Sequence, residues 1–136
     1  MNGTLQTVET WLYNTLTQII AVGGSRVYAH QAPQDAAFPY IIFQPMSGID
    51  LNALTARGGT DFRILIKAVN EGESFPVNAF SGDDLAANID ELLQGVSDTQ
   101  DGVLLRWKRV QTIEYTETRA GKRYNHTGGI YRCFAG

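Results

Sequence analysis

Near the start of the chain, Leu5, Val8, Trp11, Leu12, Leu16, Ile19 and Ile20 recur mostly three or four positions apart. That spacing gathers them on one stripe of a helix. Thr4 suits the N-cap, and Gly23 with Gly24 stops the helix because glycine readily takes the left-handed conformation of a helix end, so a helix is expected over 4–21. The pattern then becomes β-like, with a short strand expected at 26–29 and further strands at 38–44 and 60–70. In the last of these, Phe62, Ile64, Ile66 and Ala68 alternate with Arg63, Leu65, Lys67 and Val69, which gives one apolar and one mixed face.

The stretch APQDAAFPYIIFQ (32–44) poses a choice between a ligand grip and a core strand. Pro39 lacks a backbone N–H and belongs at the first position of a strand, and Pro45 is expected to close it. Between them Tyr40 and Ile42 face one side, Ile41 and Phe43 the other, as in an interior strand packed on both faces. The segment 46–58, with Gly48 and Gly58 and no clean period, reads as a long mobile loop.

A second helix is expected over 81–94, with Leu85, Ile89, Leu92 and Leu93 inward and Asp83 and Asp84 in its first turn, where carboxylates favour the positive end of the helix dipole. Segments 102–118 and 122–136 flank RAGK, a glycine-containing hairpin turn. The distal part of this hairpin, about 110–127, is polar and is expected to project from the body. The fold class is therefore α+β. A mainly antiparallel (mixed) sheet carries two helices on one face, in the order α-β-β-β-α-β-β, as a single domain over 1–136.

Candidate chemistry is sparse. His30 and His126 lie in separate elements without a carboxylate or cysteine at ligand spacing, and Cys133 alternates with Tyr131 as a buried thiol would. The glycine pairs lack the lysine and context of a phosphate loop. Asp83, Asp84, Asp90 and Glu91 are better read as the solvated face of the second helix than as a metal site. No catalytic residue, cofactor or metal is expected, and no apolar run approaches a membrane span. The net charge of −3 gives no general reason to bind nucleic acid.

Charge is unevenly distributed. Residues 71–101 carry eight acids and no base, residues 102–136 seven bases against two acids, and residues 1–70 are balanced at four each. One reading is an ordinary solvated helix beside a strand pair. The sharper one is that the acidic segment of one subunit meets the basic hairpin of the next, since complementary patches fix register in assemblies.

The layout also resembles a known family. The N-terminal helix, then VYAHQAPQDAAFPYIIFQ, a long strand, an acidic helix and a closing hairpin ending GGIYRCF is similar to the tail completion, or tail terminator, proteins of long-tailed bacteriophages. The resemblance implies a non-enzymatic virion protein at the head-proximal end of the tail, assembled in the host cytoplasm. It implies a homo-oligomeric ring, usually of six subunits, that ends growth of the tail tube and offers a docking face to the head connector. Its partners would be itself, the major tail tube protein and the head-completion or connector protein. Genomic DNA would pass through the lumen without sequence-specific binding. A head-tail adaptor or tube component is the alternative within the same machine, and a small α+β enzyme or ligand-binding domain the alternative outside it. On this reading Asp83, Asp84, Asp90, Glu91, Arg119, Lys122, Arg123 and Tyr124 are candidates for subunit contacts. Ile49, Leu51, Leu54 and Arg57, the first three apolar without an obvious core role, are candidates for contact with tube or connector.

Overall fold

A computed structural model describes residues 4–19, 22, 24–52, 57–71 and 82–136; of residues 4, 52, 57 and 82–84 it describes the backbone alone. The order of elements is α1 (Thr4–Leu16), β1 (Val27–Ala29), β2 (Tyr40–Asn52), β3 (Arg57–Glu71), α2 (Gly82–Leu93), β4 (Ser97–Gln100), β5 (Val103–Arg119) and β6 (Lys122–Ala135). The six strands form one mixed sheet in the order β1-β2-β3-β6-β5-β4, with β1 parallel to β2 and every other pair antiparallel.

α1 is shorter than its apolar stripe. The Thr17 hydroxyl donates to the Tyr13 carbonyl at 2.9 Å, and Gln18 and Ile19 donate to carbonyls three residues back, so the chain tightens into a turn. Val8, Trp11, Leu12, Leu16 and Ile19 are still buried, whereas Leu5 is exposed and Ile20 lies outside the described residues. In α2, Leu85, Ile89 and Leu93 enter the same core, with Leu92 packed at its margin.

The strands contribute alternate residues to that core: Ile41 and Phe43, then Phe62, Ile64, Ile66 and Ala68, then Leu105 and Trp107, then Tyr131, Cys133 and Ala135. The register explains the selection, because Ile64 lies opposite Tyr131 and Trp107 opposite Cys133, so the buried set occupies one face of the sheet. Trp11 stacks on Trp107 with ring centroids 5.1 Å apart and donates its indole N–H to Asp98 at 2.8 Å. α1 is thereby held to both β4 and β5.

Three expectations are corrected. The segment expected as a loop over 46–58 is strand: β2 continues to Asn52 and β3 begins at Arg57, with residues 53–56 outside the described set. Pro45 does not close β2, because a bulge between Pro45 and Ser47 resets the ladder after the proline. β4 was not foreseen, and adds an eighth element. Its sequence SDTQ has no apolar alternation, although the Asp101-Gly102 pair that follows is a hairpin signal: their φ values of 52° and 79° match a tight turn with both central residues left-handed. Ala120 and Gly121, at 52° and 77°, repeat that geometry between β5 and β6.

The hairpin also does not leave the body as a two-stranded arm. β3 accompanies β6 until Glu71 lies opposite Tyr124, so only Lys122 and Arg123 with their β5 partners extend past it. Midway, β6 is pinched between its neighbours at Gly128 and Gly129. A methyl group on Gly128 would run into the Ile66 carbonyl, and one on Gly129 into the Gln111 carbonyl.

Candidate functional site

The face of the sheet opposite the core carries a second, aromatic layer that sequence reasoning missed. Tyr40 lies opposite Val69, and Val69 opposite His126, and both Val69 and His126 are buried. Above them Phe38 packs on Tyr40 at 5.2 Å and on Tyr124 at 5.6 Å, and Tyr28 meets Tyr40 edge-on at 5.8 Å. The Arg119 guanidinium sits 5.0 Å from the Tyr124 ring, a cation–π arrangement. Period two could have placed Tyr28, Tyr40, Tyr124 and His126 away from the core. It could not have shown that the strands bearing them are neighbours.

Beside this layer Tyr115 stacks on His126, Lys67 donates to the Tyr115 hydroxyl at 2.7 Å, and Glu117 meets His126 Nε2 at 3.1 Å. Burial, aided by the Lys67 charge, lowers the His126 pKa, and Glu117 opposes the shift. The Tyr40 hydroxyl is shifted upward, mainly by burial. Cys133 is buried and its thiol is pushed up to about 12, again by burial, so it is not a thiolate at neutral pH. Among the described residues no group of three or more His, Cys, Asp and Glu could hold a metal ion.

The residues expected at subunit contacts fall in two places. On α2, Glu91 is exposed, while Asp90 is already engaged: its Oδ1 accepts from the Tyr131 hydroxyl at 2.8 Å and lies 3.4 Å from Arg109. Burial first, and Asp90 second, raise the Tyr131 pKa strongly, so the phenol stays a donor. The side chains of Asp83 and Asp84 lie outside the described residues. At the hairpin end, Lys122 lies 3.7 Å from Glu71 and Arg119 3.7 Å from Glu117; Arg123 is exposed and Tyr124 half-buried. Part of the opposite charge that the sequence sorts into two blocks is thus joined inside one subunit.

Ile49 and Leu51 are on the β2 extension, 59% and 42% exposed. Leu54 lies outside the described residues, as does the side chain of Arg57, whose backbone opens β3. The large exposed apolar residues Met46, Val110 and Tyr115 belong with Ile49 and Leu51, on β2 and β5.

The sequence matches the model of the family described as tail completion protein gp17 over residues 12–134. No curated relative matches it in sequence. Among solved structures, the fold is similar to a chain from the virion of a native gene transfer agent particle, with TM-score 0.77 and 16% identity, covering 99% of this chain and 98% of that one. A second solved chain is similar at TM-score 0.57 and 15% identity, covering 94% of this chain and 91% of that one. The family match runs from residue 12 to residue 134 and takes in both helices and all six strands in whole or part, so this chain belongs to the tail completion protein gp17 family, as a structural protein of a bacteriophage-type tail.

Proposed function

We propose that the protein forms a ring, of six subunits by analogy with its family, at the head-proximal end of the tail tube, where it ends tube polymerisation and presents the docking surface for the head connector. The observation that carries this reading is the family match over nearly the whole chain. Support comes from the surface: Met46, Ile49, Leu51, Val110 and Tyr115, five of the seven large apolar side chains exposed among the described residues, lie on β2 and β5, which suits contacts with other proteins better than recognition of a small molecule.

In this reading the acidic face of α2, through Asp83, Asp84 and Glu91, meets the basic hairpin end of the next subunit, through Arg119, Lys122 and Arg123, beside Tyr124. Asp90 has a structural role as well, holding Tyr131 and Arg109. Ile49 and Leu51 on β2 and Arg57 at the start of β3, with Leu54 between them in sequence, would meet the tube or the connector. The lumen passes genomic DNA without reading its sequence.

Purified protein, alone and mixed with tail tubes, tests this by native mass spectrometry and electron microscopy at low and moderate salt. A ring or a concentration-dependent oligomer bound to one end of the tube is expected. A strict monomer that leaves tube ends bare would refute it. Charge reversal of Arg119, Lys122 and Arg123 together should weaken assembly, and more so at low salt. A label seen along the tube, or at the head side of the joint, would instead identify a tube component or head-tail adaptor.

A further inference from the structure

The sheet ends in two exposed strand edges, and they are complementary. On one side β1 pairs with β2 only over Ile41–Phe43, and among the described residues no strand lies outside β2 beyond that point. On the other side β4 pairs with β5 only as far as Arg106. Bonds from Trp107 to Val96, from Gly95 to Trp107 and from Arg109 to the Gln94 side chain then occupy that edge, and from Val110 onward no strand among the described residues covers it. Uncovered edges of this kind are templates for another strand.

We infer that neighbouring copies of this chain join edge to edge, with Ser47–Leu51 of β2 in one subunit forming an antiparallel ladder with Gln111–Tyr115 of β5 in the next, Ile49 opposite Ile113. The inference rests on the ring reading above and names the contact that closes the ring.

Direction supports it. β5 runs parallel to β3 and β2 antiparallel to it, so β2 and β5 run oppositely within one sheet. Subunits of a ring all point the same way along its axis, so the two edges meet antiparallel.

Register supports it as well. The Ile41 N–H and the Phe43 C=O point to the outer side of β2. Following the alternation through the bulge at Met46 brings the outward groups to Gly48 and Asp50. On β5 the outward groups are those of Trp107 and Arg109 and, past the bulge at Val110, of Thr112 and Glu114. With Ile49 opposite Ile113, Gly48 meets Glu114 and Asp50 meets Thr112, outward groups on both sides. Ile49 and Ile113 form the close, non-hydrogen-bonded pair between them. A shift of two residues the other way would set Asp50 against Glu114, two like charges across a rung.

The bulges could be read only as devices that protect an edge from aggregation. They do more than that here, because Met46 and Val110 bracket the two five-residue stretches. Five large apolar residues are exposed at this junction: Met46, Ile49, Leu51, Val110 and Tyr115. Protecting an edge calls for charges at these positions.

The offset suits a closed ring. Ile49 is level with Asp61, whereas Ile113 is level, through Gly128, with Lys67, six residues further along β3. Spread over the four strands that each subunit contributes there, β2, β3, β6 and β5, this is one and a half residues per strand. With about 3.3 Å per residue and about 4.8 Å between strands it tilts the strands by about 45°, at the upper end of the 35–45° that closed barrels adopt.

The test is site-specific cross-linking of the full chain. A variant carrying Ile49→Cys and Ile113→Cys, treated after assembly with a short thiol cross-linker, is expected to give covalent ladders up to the full ring, with at least tenfold more product than either single variant. The native thiol Cys133 is buried and stays silent. Amide exchange over 47–51 and 111–115 should slow at least tenfold when unaltered protein assembles. Rings with no cross-link at this pair and no slowing would overturn the strand junction and leave the ring standing; cross-links between Glu91→Cys and Arg123→Cys would then locate the contact at the charged segments. Protein that stays monomeric even with tail tubes overturns both.

Discussion

Tyr115 and His126, on adjacent strands, lie face to face with ring centroids 4.4 Å apart and planes 5° from parallel. The imidazole is almost enclosed, its Nδ1 has no hydrogen-bond partner among the described residues, and its pKa is lowered by burial and by Lys67. The fold therefore prefers neutral His126. The unfolded chain binds the proton more readily, so stability from this group is complete above the ordinary pKa of 6.5 and is lost as pH falls through the lowered folded value. Urea midpoints should drop between pH 7 and pH 5, and His126→Gln should flatten that slope; an unchanged slope would show that other groups set it.

Two glycines of the hairpin should respond differently to alanine. Gly121 has φ 77° and open space around it, so Gly121→Ala costs only backbone strain, about 1 kcal/mol. Gly128→Ala forces a methyl group against the backbone of β3, and about 2–3 kcal/mol or more is expected. Equal losses in urea unfolding would contradict the close approach of the strands.

Trp11 joins α1 to the sheet by stacking on Trp107 and by its bond to Asp98, whose carboxyl pKa that bond lowers. Trp11→Ala should destabilise by about 3–5 kcal/mol, the range for an aromatic truncated in a core. Trp11→Phe keeps the ring contact and loses the bond, so a smaller loss is expected by thermal unfolding.

Tyr131→Phe removes the donor to Asp90 and should cost about 1–2 kcal/mol in the monomer, without altering salt dependence of assembly. Glu91→Lys should do the reverse, leaving monomer stability nearly unchanged and weakening assembly. Matching urea curves and sedimentation profiles for the two variants would remove the distinction between structural and contact roles on α2.

Much of this was legible where local pattern and tertiary demand agree. The α1 stripe from Val8 to Leu16 and the Phe62–Ala68 alternation specify a burial pattern that the fold adopts, and the RAGK turn stands between β5 and β6. β4 escaped notice because SDTQ gains its place from pairing with β5, not from a buried face, and the Asp-Gly pair was its only local sign. The extension of β2 was hidden because proline and glycine usually punctuate, and a bulge at Met46 absorbs the missing N–H of Pro45. The aromatic layer depends on which strands are neighbours, and Phe38 reaches Tyr124 across most of the chain length. The contact of Asp90 with Arg109 was equally invisible to a count of charges along the sequence.

β6 is hydrogen-bonded on both sides, to β3 from Tyr124 to Ala135 and to β5 from Lys122 to Ala135. A pull along the strands at the hairpin tip loads these ladders in shear, so every rung resists together instead of opening in sequence. A structural protein of a bacteriophage-type tail gains mechanical strength from that arrangement, with no need for additional contacts.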